Sequence, residues 1–263
     1  MLSAHIGEVS KMKPISVVLV DDHPLIHQAV KSLLAERADM ELVGQGFAGE
    51  QLLPLLAEHQ PDVLVLDLTM PYHSGDSQVR FGYMQALAQL SAEYPNTSTI
   101  ILSQLLQSGI IQSAAEFGVR GYLLKSDNLS LNLPEAILAA SRGGVFFSEG
   151  VSRDLFGPTR KPAAKPLSER TREVILAIAK KPDDSYAMTA SRLGISENTL
   201  KGHLRNAFSE LKVTNITSCI IRCMQLNLIP FTVNPDGRGI QFGEIEDLAT
   251  VSEQQSSRME LLR

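Results

Sequence analysis

The sequence is short of the residues that build disulfide-bonded folds. It has two cysteines and no tryptophan among its 263 residues, and aromatic side chains make up 5%. Two cysteines cannot form the disulfide framework of a small secreted domain. They are Cys219 and Cys223, a spacing that favours packing inside a helix over a disulfide bridge or a redox sensor. The cysteine content fits a reducing compartment.

Long apolar runs are also missing. The longest strongly apolar runs are Val17–Val20, Val63–Leu66 and Ile100–Leu102, whereas a helix that spans a bilayer needs about 20 apolar residues. The segment Met1–Lys13 lacks the apolar centre of a signal peptide. We therefore expect a cytoplasmic protein that does not enter a membrane.

Net charge at first argues against a nucleic-acid partner, because the chain carries -5 overall. The charge is unevenly distributed, however. Residues 1–157 carry -8, residues 158–230 carry +6, and residues 231–263 carry -3. Only the middle-to-late third is basic, so a nucleic-acid contact would fall there. The opposite signs also suggest that the front and middle parts dock on each other, which would make the compact form sensitive to salt.

The first 150 residues alternate between short apolar runs and segments with helical spacing. Buried parallel strands have this continuous apolar composition, and crossover helices separate them. The pattern predicts an α/β domain, a doubly wound five-stranded parallel sheet in the order 2-1-3-4-5. The predicted strands are Ile15–Val20, Glu41–Gly44, Asp62–Asp67, Thr99–Leu102 and Gly121–Leu124, and the helices are Leu25–Ala35, Glu50–Glu58, Tyr83–Glu93, Ile110–Phe117 and Pro134–Ser141.

A proline-rich basic segment, Gly157–Pro166, predicts a linker, and an all-helical part follows it. The predicted helices are Ser168–Lys180, Tyr186–Leu193, Glu197–Leu211 and Ile216–Asn227. We therefore divide the chain into an extension at 1–13, an α/β domain at 14–150, a linker at 151–166, a four-helix domain at 167–230 and an acidic, mostly disordered tail at 231–263.

Three acidic residues follow two predicted strands, Asp21 and Asp22 after the first and Asp67 after the third. Ligands of doubly wound sheets bind at this edge, and these strands are expected to be neighbours. Carboxylates held together repel one another unless a cation lies between them, and an oxygen-only site suits Mg²⁺. Ser103 and Lys125 follow the fourth and fifth strands. A hydroxyl and an ammonium facing such a site predict phosphoryl chemistry.

The four-helix part contains two helices joined by the tight turn Gly194–Ser196. Ser196 is placed to cap the second helix, which has an apolar stripe on one side. Lys201 and Arg205 lie one turn apart on another side, with Asn198 and Gly202 near them. A short turn and a basic outer helix are typical of a helix-turn-helix, although a merely solvated charged face has the same composition.

The quoted motifs resemble a known family. Asp21-Asp22-His23-Pro24, Asp67 to Pro71, and Gly118 to Lys125 resemble the receiver domain of two-component response regulators. The resemblance implies that Asp67 accepts a phosphoryl group from a sensor histidine kinase. It also implies a Mg²⁺ site formed by Asp21, Asp22, Asp67 and the backbone carbonyl of Thr69, with Lys125 binding the phosphoryl group and Ser103 and Tyr122 as the switch pair.

The helical part, from Leu167 to Val213, resembles the LuxR-type DNA-binding domain, so the whole chain resembles the NarL/FixJ class of response regulators. The resemblance implies a homodimer on promoter DNA. Its expected DNA-binding residues are Ser196, Asn198, Thr199, Lys201, Gly202 and Arg205, and its expected dimer contacts are Cys219, Ile220 and Cys223.

Some features depart from these families. The stretch from Gly75 to Pro95 is about seven residues longer than receivers usually have, which indicates an insertion around Asp76–Gly82. Glycine at 202 weakens the recognition helix. Two other functions stay open at this point. A phosphatase would need an acid–base aspartate where Thr69 stands, and a receiver controlled by protein or ligand contacts would not need phosphate.

Overall fold

The computed structural model describes residues 13–156, 167–233 and 240–243. The strands are β1 (Ile15–Val20), β2 (Met40–Gly46), β3 (Val63–Leu66), β4 (Pro71–His73), β5 (Asp76–Arg80), β6 (Ser98–Ser103), β7 (Gly121–Leu124), β8 (Phe146–Phe147), β9 (Phe231–Val233) and β10 (Ile240–Phe242). The helices are α1 (Pro24–Ala35), α2 (Leu52–His59), α3 (Tyr83–Glu93), α4 (Ser108–Glu116), α5 (Leu129–Ser141), α6 (Glu149–Phe156), α7 (Glu169–Lys180), α8 (Tyr186–Arg192), α9 (Glu197–Leu211) and α10 (Ile216–Gln225).

The front part is a parallel sheet with helices on both faces. The strand order is β2-β1-β3-β6-β7-β8, so the predicted doubly wound sheet is confirmed and a sixth strand extends its edge. The apolar runs of β1, β3 and β6 are buried because helices cover both faces. Two apolar clusters, one on each face, form the core of this part.

The predicted insertion beside β3 is an antiparallel hairpin of β4 and β5. Its two-residue turn has Gly75 at φ +80°, a backbone conformation that favours glycine. Phe81, directly after β5, is buried against Gly49, where a side chain would meet its ring. The hairpin therefore returns the chain to the core before α3 begins.

The helical part has its own apolar core between α7, α8, α9 and α10. Each of these helices starts with a side-chain cap, in which a hydroxyl or amide oxygen accepts a hydrogen bond from the backbone N–H three residues later. The caps are Ser168, Ser185, Ser196 and Asn215. The four predicted helices are therefore confirmed.

Two of the predicted boundaries are corrected. Residues 151–156, assigned to the linker, belong to α6, because Val151 and Leu155 pack in the core of the front part with no exposure. The tail was expected to be disordered from residue 231, yet β9 and β10 pair as an antiparallel hairpin on the helical core. Residues 1–12, 157–166, 234–239 and 244–263 lie outside the described part of the chain, including most of the predicted linker and tail. The other predicted boundaries remain predictions.

In the described ranges, no helix combines the length and the hydropathy required to cross a bilayer.

Candidate functional site

The acidic residues predicted at the strand ends do come together. The backbone N–H of Asp67 donates to Val20 O at 2.9 Å, and that of Asp21 donates to Gly46 O at 3.0 Å. The hydrogen bonds of the sheet therefore fix the backbone positions of both residues. Ligand atoms of Asp21, Asp22, His23 and Asp67 all lie within 4.8 Å of one another. The parallel strands thus place carboxylates from distant parts of the sequence at one edge.

Lys125 offsets part of the negative charge of this cluster. Its Nζ lies 2.7 Å from Asp67 Oδ2 and 2.7 Å from Asp21 Oδ2, and it also donates to Asp21 Oδ1 at 2.9 Å. The lysine side chain is 7% exposed, while both carboxylates are fully buried. Lys125 is held there by the sheet, since its N–H donates to Ser103 O at the end of β6.

One lysine does not satisfy three carboxylates. Burial raises the pKa of Asp21, and hydrogen bonds from Lys125 and the His23 backbone only partly offset this effect. Asp21 Oδ2 and Asp22 Oδ1 are buried and accept no hydrogen bond of good geometry. Oxygen atoms of this kind with free lone pairs are the ligands that Mg²⁺ prefers, so the donor set fits a hard divalent cation.

Thr69 orients the central carboxylate. Its N–H donates to Asp67 Oδ1 at 3.0 Å, and its hydroxyl donates to the same oxygen at 3.1 Å. From the sequence, a role was assigned only to the Thr69 backbone carbonyl. The hydrogen bond from the Thr69 hydroxyl to Asp67 depends on side-chain orientation, which a single sequence does not show. Thr69 therefore fixes one carboxylate oxygen, and Lys125 contacts the other.

Ser103 and Tyr122, the predicted switch pair, lie beside this site in the core. Ser103 is fully buried and its hydroxyl accepts the N–H of Leu105 at 3.1 Å. Tyr122 is turned inward, 1% exposed, and its hydroxyl donates to Leu105 O at 2.7 Å. Burial raises the pKa of Tyr122 to about 12. The two side chains are thus linked through the backbone of one loop residue.

Two features of the site surroundings were not predicted. The imidazole of His23 lies over the acidic cluster, with Nδ1 2.6 Å from Asp22 Oδ1. Gln104 reaches across towards it, its Nε2 3.5 Å from His23 Nε2. Farther out, the Glu50 carboxylate contacts the inserted hairpin by accepting the N–H of Ser74 and pairing with His73. The sequence shows these residue types but not that they meet.

The predicted DNA-binding residues lie on the outer side of α9. Asn198, Thr199, Lys201 and Arg205 are exposed. The spacing places Asn198, Lys201 and Arg205 along one face of the helix, and Thr199 lies in its first turn. The Ser196 hydroxyl caps α9 by accepting the N–H of Thr199 at 3.1 Å, and Lys201 pairs with Glu197 at 2.6 Å. Open space surrounds the position that a Gly202 side chain would occupy.

The predicted dimer contacts lie on α10. Cys219 and Cys223 are free thiols with no exposure, and Ile220 is 6% exposed, all three packed in the helical core. The hydrogen bond with Cys219, together with burial, raises the pKa of the Cys223 thiol. The packing interpretation of the cysteines therefore agrees with the structure, while their dimer contact remains a prediction.

Comparisons with known proteins agree with the two sites. Residues 17–133 match the response regulator receiver domain, and residues 165–223 match the LuxR family of bacterial regulatory proteins. The response regulator protein VraR of Staphylococcus aureus is 29% identical over 217 residues, which cover 82% of this chain and 99% of VraR. The chain belongs to the two-component response regulators, as a receiver domain followed by a LuxR-type helix-turn-helix domain.

Two solved structures are similar to the chain. The response regulator ChrA of a heme-sensing two-component system is 30% identical, with 82% of this chain and 99% of ChrA covered and a TM-score of 0.42. RcsB of Salmonella typhimurium is 25% identical, with 80% and 97% covered and a TM-score of 0.49.

Proposed function

We propose that this response regulator binds promoter DNA as a homodimer and is switched by phosphorylation of Asp67 by a sensor histidine kinase. The observation that carries the proposal is the contact of Lys125 with Asp67, because a buried ammonium 2.7 Å from one carboxylate oxygen is placed to neutralise a phosphoryl group. The protein acts as a switch, and slow hydrolysis of the phosphoryl group that it carries is a side activity. Such a regulator works in the cytoplasm.

The chemistry at Asp67 is a nucleophilic transfer. A carboxylate oxygen forms a bond to phosphorus while the bond from phosphorus to the imidazole nitrogen of the donor breaks, and the electron pair of that bond returns to nitrogen. Thr69 keeps the carboxylate in one orientation through its N–H and hydroxyl. Lys125 stabilises the negative charge of the phosphoryl oxygens, and Ser103 supplies a hydroxyl that follows them.

Asp21, Asp22, Asp67 and the Thr69 carbonyl would hold Mg²⁺. The ion supplies charge neutralisation at the phosphoryl oxygens when it is bound. Asp21 Oδ2 and Asp22 Oδ1 support this assignment, because they are buried and accept no hydrogen bond of good geometry. A hard cation would offset the cost of burying their charge without protonating them.

In the DNA-binding half, we propose that α9 enters the major groove. Lys201 and Arg205 are the cations on its outer face, and their side chains can reach guanine edges or phosphates. Asn198 lies on the same face, whereas Ser196 and Thr199 sit at the helix start, where phosphate contacts are usual. Gly202 lets the helix backbone approach the DNA closely. Structures of RcsB include complexes with DNA, and one holds two RcsB dimers.

The first experiment tests phosphorylation with acetyl phosphate and Mg²⁺ as probes. Intact-mass spectrometry should find one phosphoryl adduct on the wild type and none on Asp67→Asn. Glu58→Gln, which changes an exposed carboxylate of α2, is the matched control and should react like the wild type. An adduct on Asp67→Asn would refute the assignment of the acceptor.

The second experiment tests the switch on DNA. Duplexes are enriched from a random library with the phosphorylated wild type, and affinity is then compared with and without acetyl phosphate. Equal affinity in both states would favour the alternative in which the receiver responds to protein or ligand contacts instead. Lys201→Ala with Arg205→Ala should abolish specific binding and leave phosphorylation unchanged. Lys180→Ala with Lys181→Ala removes equal charge at the C-terminal end of α7 and should keep specificity.

A further inference from the structure

Helix α1 carries a buried histidine beside the acidic site, and the proposed phosphoryl transfer does not use it. His27 lies in the first turn of α1 and is 4% exposed, whereas the side chain of His23 is 45% exposed. Buried polar side chains are nearly always hydrogen-bonded, so the contacts of this imidazole indicate what it does.

Three contacts fix the imidazole ring of His27. Its Nε2 lies 2.6 Å from the backbone oxygen of Asp21, and because a carbonyl oxygen only accepts, Nε2 is the donor of this hydrogen bond. Its Nδ1 lies 3.1 Å from the side-chain amide of Gln45. The ring also stacks on Phe47, with 3.9 Å between the ring centroids and 21° between the planes. The end of β2 therefore holds the ring, and the ring holds Asp21.

The hydrogen bond to Asp21 O acts on the backbone between two predicted metal ligands. This oxygen belongs to the peptide that joins Asp21 to Asp22, and a peptide unit is planar. The sheet already holds the peptide before Asp21, since the N–H of Asp21 donates to Gly46 O at 3.0 Å. With His27 holding the peptide after it, both backbone dihedral angles of Asp21 are restricted.

A fixed backbone matters at a site of like charges. Ligand atoms of Asp21, Asp22 and Asp67 lie within 4.8 Å of one another, so their repulsion favours spreading when no cation is bound. The side chain of Asp22 is 29% exposed and could turn towards solvent if the peptide before it rotated. An incoming ion would then have to reverse that rotation, which would weaken its binding.

We infer that His27 is a positioning residue for Mg²⁺, whose Nε2–H keeps the peptide between Asp21 and Asp22 in the orientation that the ion needs. The inference rests on the proposed function, which assigns Mg²⁺ to these carboxylates. His27 acts without touching the ion. Residues that orient metal ligands in this way typically change metal affinity about 10–100-fold.

His27→Phe tests the inference because it keeps an aromatic ring against Phe47 and removes the N–H. In calorimetric titration of the full chain with magnesium chloride at constant ionic strength, we expect the dissociation constant to rise about tenfold. His59→Phe makes the same change at the C-terminal end of α2 and should bind like the wild type. Thermal unfolding without Mg²⁺ measures any loss of stability separately from the loss of affinity.

His27→Gln and His27→Asn identify the hydrogen bond itself. Glutamine places an amide N–H as many bonds from the backbone as Nε2 of histidine, whereas asparagine is one bond shorter and falls short of Asp21 O. We therefore expect His27→Gln to retain most of the Mg²⁺ affinity and His27→Asn to lose about tenfold. This pair decides the question even if His27→Phe does not fold.

Other outcomes overturn the inference. An unchanged dissociation constant in His27→Phe and His27→Asn would show that His27 only packs, even if the melting temperature falls. Equal losses in His27→Gln and His27→Asn would show that the donated hydrogen bond is not the cause, and an equal loss in His59→Phe would show that the effect is not specific to this site. A wild type that binds no Mg²⁺ would refute the metal assignment itself, which differs from any result among the variants. No phosphoryl donor is present, so the assignment of Asp67 as the acceptor is tested separately by the mass measurement.

Discussion

Replacing Lys125 by methionine should destabilise the receiver strongly. The ammonium lies 2.7 Å from an oxygen of Asp67 and of Asp21, and both carboxylates are fully buried. Removing one partner of a buried ion pair costs about 3–5 kcal/mol, because the remaining charges lose their compensation. For a domain of this size, that loss corresponds to a fall of about 10 °C in the melting temperature at neutral pH.

The size of the loss should depend on pH. Burial raises the pKa of Asp21, while Lys125 lowers it, so the pKa rises further in Lys125→Met. A carboxyl group that binds its proton more tightly in the folded state than in the unfolded state makes the fold more stable as the pH falls through its folded pKa. The deficit of the variant should therefore shrink towards acidic pH, and saturating Mg²⁺ should reduce it at neutral pH.

Thermal unfolding followed by circular dichroism measures these effects, since the chain has no tryptophan for fluorescence. Lys31→Met removes an exposed lysine of α1 and serves as the matched control. A fall in melting temperature no larger than that of the control, or one that grows as the pH is lowered, would refute the reasoning about the buried pair.

Three further predictions concern single positions. Gly202→Ala should stabilise α9 by about 1 kcal/mol in chemical unfolding, because the added methyl group meets only open space. Ser196→Ala should cost about 1 kcal/mol through loss of the cap on Thr199, whereas Ser196→Asp should keep it. Tyr122 should ionise near pH 12, so an absorbance titration of Tyr122→Phe should lose the highest step. Stability should fall above pH 10, since only the unfolded phenol ionises there readily.

The sequence predicted the elements whose local pattern is complete. The bounds of β1, β7, α3 and α9 agree with the structure. Strand β1 is a continuous apolar run that ends at an acidic pair, and α9 starts at a capping serine and carries one apolar stripe. Where a segment has both a hydrophobic pattern and a residue that marks its end, a single sequence is sufficient to predict the bounds of the helix or strand.

Elements that depend on distant contacts were missed. Among the residues of α6 whose burial the structure describes, Val151 and Leu155 are the buried apolar ones, too few for a periodic signal. The helix forms because these two side chains pack into the receiver core. Strand β8 has two residues and exists by pairing with β7. The hairpin of β9 and β10 likewise packs on the helical core.

The acidic site was predictable for a different reason. In a parallel sheet the carboxyl ends of all strands lie at the same edge. Asp21, Asp67 and Lys125 each follow a strand of this sheet, so the strand order alone predicts that they lie close together. The hydroxyl of Thr69 and the imidazole of His23 act through side-chain orientation, which strand order does not determine.

The opposite charges of the two domains predicted docking, and the structure shows docking of a different kind. Its hydrogen bonds, from Asn215 and Thr214, end on neutral backbone carbonyls, and Ile221 supplies apolar contact. Among the described residues, one ion pair joins the domains, Arg142 with Asp183 at 4.0 Å, and both side chains are more than half exposed. Exposed pairs contribute little and are screened by salt, whereas neutral contacts are not. We therefore expect hydrogen exchange in α10 to be nearly unchanged between low and high sodium chloride, and a strong acceleration by salt would restore the electrostatic explanation.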